Sequence, residues 1–218
     1  MNLLPLKLLF FISSFICILH GCYFPVVATG MVATAVAVTD RRTPGTLLED
    51  ETIELKSMKE TARVLNEKKR ASVSATSYNR AVLLTGWVPN SEISREVSSI
   101  VANIDNVRDV INEIRIGPKS TARTFARDSL ITAKIKASFI DERKLNSNAV
   151  KVKTESGIVF LMGIVTQREA DLAADISSRV VGVKKVVKVF EVLSEEEIKQ
   201  IDAILNSRKP KKSKRLAQ

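Results

Sequence analysis

The residues best equipped for chemistry stand together near the start of the chain: Cys17, His20 and Cys22, which are both cysteines and the single histidine of 218 residues. Two thiols and an imidazole within "ICILHGC", Ile16 to Cys22, are ingredients of a metal site or a reactive thiol. A zinc site needs three or four protein ligands in the finished protein. The question is therefore whether this stretch survives processing.

Its flanks answer. Lys7 is followed by Leu8 to Leu19, "LLFFISSFICIL", a charge-free apolar run of twelve residues. At 1.5 Å per residue the run makes about 18 Å of helix, against a hydrocarbon core of roughly 30 Å. That is the build of a secretory signal rather than of a span. Leu19, His20, Gly21 and Cys22 resemble the bacterial lipobox, in which signal peptidase cuts before a cysteine that carries the lipid. His20 departs from the small or β-branched residue usual at its position. On this reading residues 1–21 are signal peptide, Cys22 is the lipidation site, and Cys17 and His20 are removed. The mature chain then has no histidine and no free thiol, which excludes Ser-His-Asp and Cys-His catalysis, His-ligated metals and disulfides. Acidic residues are scattered among the basic ones, and one Trp and two Tyr suggest no aromatic-lined pocket. No enzyme, cofactor or metal is expected. Two alternatives stay open: an uncleaved anchor, since Leu8 to Thr39 carries no charge, and a soluble secreted protein.

Beyond the signal lies an internal repeat. "SVSATSYNRAVLLTGWVPNSE", Ser72 to Glu92, and "AVKVKTESGIVFLMGIVTQRE", Ala149 to Glu169, align at an offset of 77. Val82 then falls on Val159, Leu84 on Leu161, Gly86 on Gly163 and Val88 on Val165; after a one-residue slip Ile100 falls on Ile176 and Val110 on Val186. In each copy a helical pattern comes first, weak at Ile53, Ser57 and Thr61 and clear at Ile131, Ile135 and Phe139. Two alternating strands around a turn predict a hairpin, Asn90 or the Thr166/Glu169 pair caps a second helix, and a last strand closes the unit. The expected fold is α+β: two tandem α-β-β-α-β domains, each with two helices on a three-stranded mixed sheet. Gly86 and Gly163 interrupt β-branched strands as structural glycines, which suggests a bulge or the close approach of another backbone, here a helix crossing the sheet.

The strand-borne glycine in "VLLTGWV" and "VFLMGIV", the closing "VRDVINEIRI" and "VKKVVKVFEV", and the α-β-β-α-β order resemble the BON domain family. A tandem pair behind a lipobox resembles its dual-domain outer-membrane lipoproteins, with "TDRRTPGT" ahead of the first copy as further support. The resulting division is signal peptide 1–21, lipidated tether 22–49, first BON domain 50–117, linker 118–125, second BON domain 126–193, and a helix with a basic tail over 194–218. The resemblance implies a non-enzymatic outer-membrane lipoprotein facing the periplasm. It also implies a second domain that binds anionic phospholipid, support of membrane integrity, recruitment to division sites and contact with outer-membrane assembly proteins. The alternative is a protein adaptor for which lipid contact is incidental.

Charge gives an independent asymmetry within a formal net of +10. Residues 50–69 balance five basic against five acidic side chains, whereas 120–145 carry six basic against three acidic. Leu130 and Lys134 should lie on an exposed edge beside the core stripe, with Phe125 just ahead of the helix. Phe125, Arg127, Leu130, Lys134 and Lys136 are the expected phospholipid-binding residues, since an apolar side chain beside cations suits an anionic interface. Family members carry an aromatic at the place of Leu130, so leucine implies shallower insertion here; packing of Leu130 against the first domain is the alternative. "RKPKKSKR", Arg208 to Arg215, reads as a solvated tail or as a contact for anionic lipid, lipopolysaccharide or peptidoglycan. Secretion argues against nucleic acid.

Overall fold

Alternating apolar residues and two tight turns build a β-hairpin in each repeat. Residues 40–65 and 71–207 are described by the computed structural model, all within one unit, Ala35–Gln218. Cys22, the stretch read as a signal peptide (1–21) and the basic tail fall outside the described residues.

The first domain runs α1 (Pro44–Leu65), β1 (Ser72–Tyr78), β2 (Ala81–Val88), α2 (Ser91–Ala102) and β3 (Asp109–Ile116). The second repeats this order as α3 (Ala122–Asp141), β4 (Val150–Glu155), β5 (Ile158–Val165), α4 (Gln167–Ser178) and β6 (Lys185–Val192), and α5 (Glu195–Ser207) follows. In both sheets the middle strand pairs antiparallel with its hairpin partner and parallel with the last strand. The expected α-β-β-α-β domains with three-stranded mixed sheets are therefore present. Helix starts differ from the expected boundaries: α1 begins at Pro44, inside the stretch read as tether, and α3 at Ala122, inside the stretch read as linker. The slip in the repeat sits at Pro89, because Val88 is two residues from the cap Asn90 while Val165 directly precedes the cap Thr166.

Each hairpin closes on two residues at positive φ, Asn79 and Arg80 in one copy, Ser156 and Gly157 in the other. That backbone matches the twist of the flanking strands but costs energy for side chains other than glycine. A buried carboxylate holds each turn. Asp50 of α1 accepts from the Asn79 and Arg80 amides at 2.8 and 2.7 Å, and Asp128 of α3 accepts from Ser156 and Gly157 at 2.6 and 2.9 Å.

One face of each sheet packs on its two helices. Ile53, Val82, Leu84, Val97 and Val101 form the first core, and Ile131, Ile135, Phe139, Val159 and Leu161 the second. The other faces meet each other: Leu83 and Tyr78 pack with Phe160, Met162 and Ile164, and Ile198 of α5 joins them. Polar contacts rim this seam, including Trp87 to Ser156 at 3.1 Å, Arg108 to Glu191 at 2.8 Å and Lys151 to Glu54 at 2.7 Å. The layers run helices, sheet, sheet, helices.

The two glycines correct one expectation. A Cβ at Gly86 would lie 2.1 Å from the Ser72 carbonyl oxygen, and one at Gly163 would lie 2.3 Å from that of Ala149. The backbone that crowds Gly86 is the first residue of β1, and the backbone that crowds Gly163 is the last residue of a short 3-10 turn, Ser147–Ala149, that leads into β4; neither is a helix crossing the sheet.

Candidate functional site

Helix α3 owes its rotation to the residues it buries. Asp128 is tied to the hairpin turn, and Ile131, Ile135 and Phe139 enter the core; Thr121 caps the first turn by accepting from the Thr124 amide. At 100° per residue these contacts fix every other side chain. The line pointing away from the core is Ala126, Leu130, Ala133, Ala137 and Ile140, all exposed, with Leu130 at 56% and Ile140 at 71%. Arg123, Arg127 and Lys134 border this line on one side, and Lys136 borders it on the other. Among the described residues none of the four cations is held in an ion pair, so each is available to a phosphate.

Of the five residues expected to bind lipid, the helix brings Leu130, on the apolar line, next to Arg127 and Lys134 on one border. Phe125 falls about 140° around the axis from Leu130 and joins Lys136 on the opposite border, about 16 Å away along the helix. It lies within the first turn of α3 rather than ahead of the helix, and it is 71% exposed. Leu130, for which packing against the first domain is the alternative, is 56% exposed. The sequence reading left out the alanines and Ile140, which a continued 3.6-residue phase would have found. It also left out Val181, 84% exposed, beside Gly182, whose backbone lies against Ile131.

A second cluster holds the two domains together, and its source is "TDRR". Arg41 donates to both Glu169 oxygens at 2.7 and 2.9 Å and to the Ile164 carbonyl at 2.9 Å, and it approaches Asp202 of α5 at 3.5 Å. Arg42 bridges Asp40 and Asp50 at 2.7 Å each and lies 4.0 Å over the Tyr78 ring. Burial pushes the Glu169 carboxyl up, but the Arg41 fork and the Thr166 amide outweigh it and hold the group below the usual carboxylate range. Burial, with Asp40, pushes the Tyr78 phenol far up, and Arg42 stays charged despite burial because of Asp40 and Asp50. These groups are paired with one another, with Arg41 Nε left without a hydrogen bond among the described residues, and such mutual pairing is the signature of a clamp rather than of a reactive centre.

Among the described residues there is no group of histidine, cysteine, aspartate and glutamate able to hold a metal ion, and no helix is long and apolar enough to cross a membrane. The chemistry on offer is that of a surface: cations for phosphate oxygens around an apolar line.

Comparison with known proteins agrees with the duplication. The chain is 40% identical over 193 residues to outer membrane lipoprotein DolP of Haemophilus influenzae, covering 88% of this chain and all of that protein. It is 35% identical to the 21 kDa hemolysin of Actinobacillus pleuropneumoniae over 69% of this chain and 78% of that protein. Osmotically-inducible protein Y of Escherichia coli is 28% identical over 54% of this chain and 60% of its own length. The BON domain pattern matches residues 49–118 and again 127–194, so the chain belongs to the BON domain family and carries two copies of the domain.

Proposed function

We propose that this chain is an outer-membrane lipoprotein facing the periplasm, anchored through Cys22, whose second domain lies on anionic phospholipid through α3. The observation that carries the reading is the outward apolar line of α3 bordered on both sides by cations that are unpaired among the described residues. The similarity to outer membrane lipoprotein DolP supports the location. Leu130 and Ile140 enter the acyl boundary, the alanines let the backbone come close, and each cation adds about 1 kcal/mol on an anionic surface. The lipid anchor keeps the domain near the bilayer, so a weak contact suffices to orient it. Support of outer-membrane integrity, including at division sites, is the role such an attachment serves, and no catalytic step is assigned to it.

Flotation of residues 39–218 with zwitterionic or mixed anionic vesicles tests the reading. Selective flotation with anionic vesicles, abolished by Leu130→Glu, is the expected result. A parent protein that does not float, or a Leu130→Glu protein that floats like the parent, overturns it. The second reading, an adaptor for outer-membrane assembly proteins, is favoured by Ala133 and Ala137, since small residues let a partner helix approach closely. Loss of vesicle binding without loss of envelope function would select it. The basic tail, residues 208–218, is a further polyanion contact on either reading, with lipopolysaccharide or peptidoglycan.

A further inference from the structure

The duplication exposes a hollow in the first domain that the second domain fills with its own side chain. Aligning the turn-binding aspartates, Asp50 with Asp128, places Ile53 on Ile131, Ser57 on Ile135 and Thr61 on Phe139. Phe139 is buried in the second core. At the matching place Thr61 is 4% exposed, and among the described residues neither its hydroxyl nor that of Ser57 has a hydrogen-bond partner. Thr61 lines a groove of about 240 Å³ between α1 and β1, with Leu55, Met58, Val73, Ala75 and Glu51 around it. Ligand pockets run from about 300 to 1,000 Å³, so this space suits one large side chain and not a cofactor.

Two features define what brings that side chain. β1 is the outer strand of its sheet. Ser77 turns its amide away from β2, to Glu54, and its carbonyl oxygen to Lys151. By the antiparallel alternation the main-chain groups of Ala75 and Val73 point to the same free edge. The groove rim also carries Glu51, unpaired among the described residues, and Glu54, whose charge is shared with Lys151. Leu55 and Met58 stand 59% and 64% exposed over it. We propose that the groove between α1 and β1 docks an extended segment of a partner protein, which adds along the edge of β1, places an aromatic side chain over Thr61 and sets a lysine or arginine against Glu51. This surface is separate from the lipid-facing helix and stands whether or not α3 binds lipid.

The test is fluorescence anisotropy of the full chain with a labelled peptide, Gly-Lys-Thr-Phe-Thr-Lys-Val, beside a control with serine for the phenylalanine and glutamate for the lysines. Binding of the first peptide alone is expected. Thr61→Phe, which fills the groove as the second domain does, should weaken it at least about tenfold, the size of effect when an anchoring pocket is lost. Glu51→Lys, on the exposed rim and harmless to folding, should weaken it severalfold. No binding up to about 1 mM peptide, or equal binding by the Thr61→Phe protein, overturns the proposal. A concentration-dependent dimer abolished by Thr61→Phe would give the groove to a second copy, and stronger peptide binding after removal of residues 208–218 would give it to the chain's own tail; either result also overturns it.

Discussion

Helices α1 and α3 occupy equivalent places and share one rotation, yet they present opposite surfaces inside and out. Inward, α3 offers Ile131, Ile135 and Phe139 where α1 offers Ile53, Ser57 and Thr61. Outward, Leu48, Thr52 and Leu55 of α1 stand where α3 has Ala126, Leu130 and Ala133. The borders differ in sign: Glu49 replaces Arg127 and Met58 replaces Lys136, and only Lys56 matches Lys134. The second helix is well packed and cationic; the first is under-packed and edged with acid. Duplication kept the fold and released one copy from each constraint, so the surfaces are best tested against each other.

The largest contrast lies in the core. Phe139→Ala removes a fully buried ring and should cost about 3–5 kcal/mol in urea unfolding. Thr61→Ala removes a hydroxyl that is buried without a partner among the described residues, and should be neutral or stabilising by up to about 1 kcal/mol. Equal losses at the two sites would mean that Thr61 is satisfied in solution and that the hollow is filled.

The turn-holding aspartates come next. Asp50 serves the Ser77 hydroxyl, two amides and Arg42, whereas the two turn amides are the contacts of Asp128. Removing one partner of a buried pair leaves a charge uncompensated. Asp50→Ala should therefore cost about 3 kcal/mol and Asp128→Ala about 2 kcal/mol, both read as shifts in the unfolding midpoint. The reverse order would show that Arg42 is adequately held by Asp40 alone.

The second-helix caps differ in the same spirit. Asn90 caps α2 by itself, but the Thr166 capping box of α4 includes Glu169, which Arg41 grips. Glu169 is held below its ordinary value of 4.5, so its contribution is complete above that pH and is lost as pH falls through the lower folded value. Glu169→Gln should cost about 2 kcal/mol at neutral pH, the size of a lost hydrogen bond to a charged group, and its gap to the parent should close below the ordinary value of 4.5. A gap independent of pH would make the pair a matter of shape rather than of charge.

How much of this was legible follows from where each signal resides. The hairpins, the second helices and the duplication are local patterns, carried by alternation and caps, and the sequence shows them. The sheet-to-sheet seam is visible only in half: Phe160, Met162 and Ile164 declare a second apolar face on β5, but nothing in their spacing names Leu83 and Tyr78 as what covers it. Asp50 and Asp128 were hidden because a charge on a helix is ordinarily read as solvent-facing, and Arg41 and Arg42 because they stand in a stretch that resembled a tether. Leu130 and Lys134 were found from spacing. Ala126, Ala133 and Ala137 were not, since alanine is the default helix former and carries no burial signal of its own.

The smallest effects decide how α3 meets a bilayer. Each cation near an anionic surface is worth about 1 kcal/mol, roughly fivefold in vesicle affinity. If the apolar line lies flat on the membrane, Lys134→Ala and Lys136→Ala should each cost that factor, because the two border the line from opposite sides. If the helix rolls toward the Arg127 border, Lys134→Ala keeps its cost while Lys136→Ala loses it, and Phe125→Ala becomes silent with it. Lys56→Ala, at the place in α1 that matches Lys134, should change nothing, since the Leu48 and Leu55 face is bordered by Glu49. A loss there equal to that at Lys134 would mean that both copies touch lipid, and that the difference between the two helices concerns packing alone.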